Sequence, residues 1–457
     1  MRGNDTIHQH PYIPLNCPED AKKPYICRLS PFENGFEGEY LDNFALESAH
    51  TLFLRKRGSG DAYLAIPLSD PTFTVTGLEK EAEYEFFIES GVGEKSHTRL
   101  LRTAALPDGA VAINYLHPDD TQYAVSGRFL CSPSLARLPD GTLVAGMDLY
   151  GNHMPQNLTL LFSSDDDGKT WRYLNDLYPF YWGSLFTHKG VLYILGLTTE
   201  YGNLQIASSK DGGHTWSRPT VLFYGSNLLC KNGGMHRAPM HVFLHEGRLW
   251  TTCEYGCWEK GSHLPAVLSI GEDEDLMVAS NWALTGFLPF EGAWREASGG
   301  VQRDTMEGNI VLTPEGGMRE ILRWSLGKAL VLKVKAPEEP LEFEELRDMP
   351  VSSSMFRILP YQGGYIMVTN RKGDHVETEE GLPYRNVLSL FTSKDLKNWT
   401  LKEDVVNAED KDPMKIGFQY PCPLLEGDTL YLNVRSAFNN ADNFHNSNTM
   451  LFWKLVL

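Results

Sequence analysis

Two short segments of this chain have nearly the same sequence. Ser164–Trp171 and Ser209–Trp216 both read Ser-x-Asp-x-Gly-x-Thr-Trp, and their first residues lie 45 positions apart. Ser393–Trp399 is a weaker copy that lacks the glycine. In such a segment the Ser and Asp side chains can hydrogen-bond the backbone of a tight turn, and Gly permits a positive φ. A repeat of this period is typical of a four-stranded unit that recurs along a chain.

Other turn signals divide the rest of the chain into short strands. Hairpins with a Gly-containing turn recur at Leu138–Ala145, His245–Trp250, Thr313–Met318 and Leu425–Leu430. The 457 residues exceed what a single core usually holds. The sequence therefore predicts an all-β protein with a small β-sandwich in residues 1–105 and a β-propeller in residues 111–457. The repeat favours six blades, with seven as the alternative.

The charge of the chain limits the class of its partner. A formal net charge of −18 argues against nucleic acid and anionic membranes, although a locally basic site can still hold an anionic sugar. The seven cysteines have no metal or redox spacing, so we expect neither a metal nor a cofactor. Residues 1–14 are polar and no segment of 18 apolar residues occurs, which predicts a cytoplasmic protein that does not bind membranes.

The N-terminal strands carry a recognisable pattern. Val75–Leu78 is followed by Tyr84–Phe86, with the tyrosine six residues after the leucine. This segment resembles a fibronectin type III module, in which a Leu and a Tyr at these places pack between the two sheets of a sandwich.

The repeats resemble the Asp boxes, or BNR repeats, of the sialidase (neuraminidase) superfamily. Leu130–Leu135, which precedes the first hairpin, adds to this similarity, and the resemblance extends over residues 111–457. It implies a sialidase-type propeller in which three arginines hold a substrate carboxylate. A Tyr polarised by a Glu is then the nucleophile, and an Asp is the acid/base.

The second half of the chain matches this pattern. Glu307 precedes Arg323 by 16 residues through a hairpin, as the polarising Glu and the second arginine do in sialidases. Arg385 resembles the third arginine, and Tyr420 resembles the nucleophile. A nearby Glu can take the proton that makes a Tyr nucleophilic. The resemblance thus assigns Tyr420 and Glu307 to catalysis, and Arg323 and Arg385 to substrate binding.

The first half departs from the pattern at two places. Cys131 stands where sialidases have their first arginine, and Arg128 is the nearest substitute. The segment from Gly151 to Asn157, where the acid/base Asp is expected, contains no Asp. His153 is its one side chain that titrates near neutrality, so it is the candidate acid/base.

A further set of residues resembles a divergent group of sialidase-like propellers. His236 and Arg237 form one cluster, and Arg435 and His445 belong to a polar stretch near the C-terminus. Together with His153 they resemble the propellers that act on rhamnose–glucuronate linkages as hydrolases or lyases. We therefore add His236 as a catalytic candidate. Arg237, Arg435, His445 and Trp182 are the further substrate-binding candidates, and Trp258 is a second residue suited to stacking on a sugar.

These features favour an exo-acting glycoside hydrolase. It would cleave a terminal glycosidic bond at or next to a carboxylated sugar in an acidic oligosaccharide, and it would not be a standard sialidase. The first alternative is a uronate lyase that uses His153, His236 or Tyr420 as its base. The second alternative is a glycan-binding propeller without catalysis.

Overall fold

The computed structural model describes residues 6–7, 22–45, 47–226, 233–258, 261–303, 305–324, 327–371 and 384–457. Nearly all regular structure in these residues is β, and the one α-helix, α1, covers Gly292–Ala297. None of the helices in these ranges is long and apolar enough to cross a membrane. The same ranges contain no group of three or more His, Cys, Asp or Glu side chains arranged to hold a metal ion.

The first part of the chain forms two packed sheets. After a two-residue strand β1 (Thr6–Ile7), the first sheet contains β2 (Tyr25–Phe32), β3 (Gly35–Leu41) and β6 (Thr72–Thr76). The second contains β5 (Leu64–Leu68), β4 (His50–Lys56), β7 (Glu83–Ser90) and β8 (Arg99–Arg102), in that spatial order. Tyr84 is buried between the sheets, Leu78 packs against the same core, and the Tyr84 hydroxyl accepts a hydrogen bond from the Glu79 amide at 2.9 Å. The region is a seven-stranded β-sandwich; its assignment as a fibronectin type III module stays a prediction.

Six antiparallel sheets follow along the described part of the chain. The first contains β10 (Phe129–Arg137), β11 (Leu143–Tyr150), β12 (Thr159–Ser164) and β13 (Arg172–Leu177), and the second β14 (Tyr181–His188), β15 (Val191–Leu197), β16 (Leu204–Ser209) and β18 (Thr220–Phe223). Between β16 and β18 along the chain, the short strand β17 (Trp216–Ser217) pairs with β1. The third sheet contains β19 (Gly234–His236), β20 (Phe243–His245), β21 (Arg248–Cys257), β22 (Ser262–Gly271) and β23 (Ala283–Leu284).

The remaining three sheets complete the ring. The fourth contains β24 (Met306–Leu312), β25 (Met318–Trp324), β26 (Lys328–Lys333) and β27 (Glu342–Asp348), and the fifth β28 (Val351–Tyr361), β29 (Gly364–Arg371), β30 (Val387–Ser393) and β31 (Thr400–Asn407). The sixth contains β32 (Gly417–Glu426), β33 (Thr429–Ala437), β34 (Thr449–Val456) and, as its outer strand, β9 (Val111–Tyr115). Because β9 comes from the start of this region and pairs with the last strand, the chain closes the ring on itself. The prediction of an all-β propeller is confirmed.

The repeated segments form the turns that the sequence predicts. In the first, the Gly168 amide donates to Ser164 Oγ at 2.9 Å and the Thr170 amide donates to Asp166 Oδ1 at 2.9 Å. The second has the same bonds, at 2.8 and 2.9 Å. Trp171 is buried against Phe452 of the sixth sheet, and Trp216 is buried in the core between the first and second sheets. Each tryptophan therefore joins neighbouring sheets.

The innermost strand of each sheet bends at a comparable place. The pairing register shifts between Cys131 and Ser134 in β10, and β14, β24, β28 and β32 have similar shifts. In the third sheet the inner strand is interrupted between β19 and β20. Such irregularities redirect side chains. One residue at each place is followed by Pro, Gly or Ser, and we call these the six bend residues: Ser132, Trp182, Ala238, Glu307, Ser353 and Tyr420.

The sandwich contacts the ring through polar bonds that are buried or partly buried. Arg99 of β8 donates to Asp120 at 2.6 Å, and both side chains are buried. Arg102 donates to Asn439 Oδ1 at 2.8 Å, and Asn439 Nδ2 donates back to the Arg102 carbonyl at 2.8 Å. Asn439 belongs to the segment between β33 and β34, residues 438–448, which we call the closing loop. The β-sandwich thus holds one end of this loop.

A glycine in the first repeat tests how tightly the turn packs. Gly168 has φ +84°, and a Cβ there would lie 2.0 Å from the Phe452 ring. Gly190, in the hairpin between β14 and β15, has φ +79° and no neighbour within 4 Å. We expect Gly190→Ala to lower the free energy of unfolding by about 1–2 kcal/mol through backbone strain. Gly168→Ala should lose a further ~1–3 kcal/mol through overpacking. Urea denaturation measures both, and equal losses would contradict the packing.

Candidate active site

A cavity of about 540 Å³ lies where the inner strands bend. All six bend residues line it, one from each sheet. Four of them, Ser132, Trp182, Glu307 and Tyr420, have positive φ angles between 52° and 65°. Positive φ is uncommon outside glycine and clusters at functional sites. The remaining lining residues are Tyr150, Asn152, Tyr181, Glu200, His236, Trp258, Met306, Arg323, Arg385, Arg435 and His445.

Tyr420 and Glu307 line this cavity together and act on each other's pKa. Burial raises the pKa of Glu307, while Arg323 and Tyr420 oppose that rise. Burial and then Glu307 raise the pKa of Tyr420. Glu307 Oε2 lies 3.0 Å from Arg323 Nε. The phenol is therefore neutral in the resting site, and Glu307 is placed to accept its proton.

Three arginines surround the Tyr420 ring. The guanidinium carbons of Arg385 and Arg435 lie 5.6 and 5.2 Å from the ring centre, and Arg323 acts on its pKa. Arg385 donates to the Gln419 side chain and, at 3.0 Å, to the Ser353 carbonyl. Within the described residues neither Arg385 nor Arg435 has a carboxylate partner. Burial, with the repulsion of neighbouring arginines, lowers the pKa of Arg385 to about 10. This cluster is suited to binding an anion.

Arg435 supplies the third cation, although Cys131 occupies the first-arginine position of the resemblance. Arg435 Nε donates to Ser447 Oγ at 3.1 Å, and its Nη2 donates to the His445 carbonyl, so the closing loop holds it. The Cys131 thiol is buried, and burial raises its pKa to about 12. Arg128 is exposed at the surface and does not line the cavity.

Glu254 connects Glu307 with His236. The Glu307 amide donates to Glu254 Oε1 at 2.8 Å, and Glu254 Oε2 lies 2.9 Å from His236 Nδ1. Burial raises the pKa of Glu254 to about 8 and lowers that of His236 to about 3. Both shifts favour the uncharged forms. A hydrogen bond between two neutral groups therefore fixes the His236 ring, which lies 4.3 Å from the Trp182 ring.

Asp148 holds the bend residue Trp182. The Trp182 amide donates to Asp148 Oδ2 at 2.6 Å, and Ser132 and the Gly183 amide lie near enough to oppose the rise of its pKa. Thr159 is a further donor. Burial outweighs these bonds and raises the pKa of Asp148 to about 7. Asp148 is thus a buried support for the cavity wall.

The cavity brings together nine of the residues that the sequence singled out. They are Tyr420, Glu307, His236, Arg323, Arg385, Arg435, Trp182, His445 and Trp258.

Two assigned residues lie outside the cavity. His153 is exposed in the turn after β11, with φ 63°, so the sequence-based acid/base candidate is misplaced. Arg237 points away because it directly follows His236, and successive residues of a strand face opposite sides. It is fully buried and donates to Ser184 Oγ at 2.6 Å and to the Met240 carbonyl at 2.9 Å. Arg237 is a structural tie between two sheets.

Sequence reasoning missed several residues of the site. Glu200, Tyr150 and Tyr181 line the cavity, and Glu254 and Asp148 support it. Each is a single side chain in a strand or turn without a motif. The bend residues did carry a signal, because each precedes Pro, Gly or Ser in an inner strand.

No family model matches the sequence, and no curated protein matches it. Solved structures do match. A Hadza microbial sialidase, Hz136, has a TM-score of 0.51 at 11% identity, covering 99% of this chain and 95% of that one. The α-L-arabinofuranosidase Arb93A of Fusarium graminearum has 0.52 at 14%, and the α-L-arabinanase of Penicillium chrysogenum has 0.50 at 15%; each match covers 77% of this chain and 98% of the other. The chain therefore shares its propeller fold with glycoside hydrolases.

The buried carboxyl of Asp148 predicts a pH-dependent stability. Because its folded pKa lies above the ordinary value, folding favours the protonated form, and this contribution is lost as pH rises from about 4 through about 7. The slope is on the order of 1 kcal/mol per pH unit. Asp148→Asn should remove this part of the slope in the free energy of unfolding, measured by urea denaturation across that window. Asp165→Asn, at an exposed turn, is the control, and an unchanged slope in Asp148→Asn would contradict the assignment.

Proposed function

We propose that this protein is an exo-acting glycoside hydrolase that cleaves a terminal glycosidic bond at or next to a carboxylated sugar. The observation that carries the proposal is the position of Tyr420, which lines one cavity with Glu307 and with the guanidinium groups of Arg323, Arg385 and Arg435. The fold that the chain shares with a sialidase and with arabinan-cleaving enzymes supports the reaction class.

The arginines favour a charged sugar over a neutral one. The arabinanase structure holds arabinobiose, which has no charge. Such a ligand would leave Arg385 and Arg435 buried without a counter-ion, which is unfavourable. A substrate carboxylate accepts bidentate hydrogen bonds from guanidinium groups and supplies the missing charge. Acidic oligosaccharides are therefore the substrate class we propose, despite the net charge of −18 of the whole chain.

A tyrosine nucleophile suits this environment. The substrate carboxylate would repel an anionic nucleophile, whereas the neutral Tyr420 hydroxyl can approach. As it attacks the anomeric carbon, its proton passes to Glu307. The nearby guanidinium charges stabilise the negative charge that develops on the phenol oxygen.

The charged groups are not those of a standard sialidase. The first arginine of the resemblance is replaced by Cys131, and the third cation comes instead from β33 through Arg435. The three arginines that would bind the substrate carboxylate therefore come from the fourth, fifth and sixth sheets. We propose that the sugar is a uronate rather than sialic acid, in line with the resemblance to rhamnose–glucuronate enzymes.

A uronate lyase is the second candidate, and His236 is the observation that favours it. His236 lines the cavity, and its lowered pKa keeps it neutral, as a base must be. Incubation with a panel of acidic oligosaccharides separates the two. A hydrolase releases two saturated sugars, whereas a lyase releases an unsaturated uronate with a new ultraviolet absorbance. Binding without any product would contradict both and would leave a glycan-binding protein.

Removal of the nucleophile tests the mechanism. Tyr420→Phe keeps the ring between the arginines but removes the hydroxyl, so we expect kcat to fall by at least about 10³-fold. The measurement is kcat on the cleaved oligosaccharide, with circular dichroism as a check on folding. Tyr431→Phe is the matched control, since Tyr431 is buried outside the cavity, and it should keep full activity. Wild-type turnover by Tyr420→Phe would contradict the assignment.

A further inference from the structure

The cavity wall contains a second carboxyl group besides Glu307. Glu200 lies in the turn between β15 and β16 and is 7% exposed. It and Glu307 are the only carboxylic acids among the described lining residues. His153, the acid/base candidate from the sequence, lies outside the cavity, so Glu200 is available for a role that no other assigned group fills.

Glu200 is held by two neutral donors. Trp258 Nε1 donates to its Oε1 at 2.7 Å, and Gln156 Nε2 donates to its Oε2 at 3.1 Å. The Tyr181 hydroxyl donates to Gln156 Oε1 at 2.7 Å, which fixes the orientation of that amide. Each carboxyl oxygen has two lone-pair positions, so one position on each remains for a proton or for substrate.

The two carboxyl groups have different electrostatic environments. Glu307 lies 3.0 Å from Arg323, which favours its ionised form. Glu200 has no ion pair with any described residue, and burial raises its pKa while the two donors only partly oppose this. Burial raises the pKa of both groups, but only Glu307 has a cation beside it. A carboxyl group beside a guanidinium is suited to act as base, and one without a cation is suited to act as acid.

We propose that Glu200 is the general acid/base of this site and that the ring of Trp258 is the platform for the leaving group. The proposal rests on the hydrolase function proposed above. In the first step the Glu200 proton moves to the glycosidic oxygen as the bond from that oxygen to the anomeric carbon breaks. Tyr420 bonds to the anomeric carbon, and its own proton moves to Glu307. In the second step Glu200 takes a proton from the attacking water, and Tyr420 leaves and recovers its proton from Glu307.

Trp258 connects the acid with the leaving group. Its side chain is 45% exposed at the cavity, although its indole N–H is bound to Glu200. An exposed aromatic face with a fixed orientation is suited to stacking on a sugar ring. Asn152, also exposed, is a second polar group on this wall. The leaving sugar would therefore lie beside the first, second and third sheets, whereas the arginine cluster comes from the fourth, fifth and sixth sheets.

Glu200→Gln tests the proton transfer. On nitrophenyl uronides and their sugar-linked counterparts we expect kcat/KM to fall by about 10²–10⁴-fold for the sugar leaving group. It should stay within about tenfold for a dinitrophenyl leaving group, which needs no protonation. On the dinitrophenyl substrate, whose release needs no acid, sodium azide needs no general base in the second step, so it should raise kcat and give a glycosyl azide. Equal losses for all leaving groups, or no effect of azide, would overturn the proposal.

The pH profile gives a second readout. The basic limb of kcat/KM should disappear in Glu200→Gln, because the acid form no longer titrates. In Trp258→Phe the limb should move to higher pH, since the lost N–H no longer favours the carboxylate. Glu39→Gln is the control: Glu39 is also buried with a raised pKa but lies outside the cavity, and the limb should be unchanged. A limb that persists in Glu200→Gln would overturn the proposal.

The two proposals fail in different ways. If the hydrolase function is wrong, the wild-type protein releases no saturated sugars, or Tyr420→Phe keeps its activity. If only the inference is wrong, Tyr420→Phe is inactive, while Glu200→Gln either keeps wild-type activity or loses activity because it unfolds. Thermal unfolding of Glu200→Gln distinguishes a folding defect from a loss of proton transfer, and a folding defect that accounts for the whole loss of activity would overturn the proposal.

Discussion

The cavity depends on one constraint, the bend in each inner strand. A regular strand alternates its side chains between its two faces, so regular inner strands would not direct one side chain each into a shared cavity. The bends instead turn one side chain per sheet into the same space. Four of these residues have a left-handed backbone, which strains a non-glycine residue. Their surroundings hold them there: Glu254 binds the Glu307 amide, and Asp148 binds the Trp182 amide.

The cavity is rich in positive charge, although the whole chain has a net negative charge. The acidic surplus lies elsewhere, while three buried guanidinium groups surround Tyr420. Burial favours the uncharged forms of Glu254 and His236, so these two residues support the wall without neutralising the arginines. Removing water strengthens the electrostatic interactions of each remaining charge, because the local dielectric constant is low. Burial of a guanidinium group without a counter-ion is unfavourable, and an anion placed beside the group would relieve that cost.

The sequence predicted the fold better than the site. The repeats specified turns whose bonds are local, between Ser164, Asp166 and Gly168, and local chemistry is visible in a sequence. The resemblance also identified Glu307, Arg323, Arg385 and Tyr420, which line one cavity. It misplaced His153 and Arg237, because the facing of a side chain depends on turn geometry and strand register. Glu200 carried no motif among the 59 acidic residues, so only the packing of Trp258 and Gln156 distinguishes it.

The closing loop has a consequence for how the chain can be divided. Its far side holds Arg435 through the His445 carbonyl and Ser447, and its near side is clamped by reciprocal bonds between Asn439 and Arg102 of the sandwich. The N-terminal unit therefore supports the loop that holds Arg435, a residue of the cavity wall. We expect a fragment that begins at the propeller to keep its ring of sheets but to loosen this one wall. Loss of affinity for acidic sugars would then precede any loss of fold.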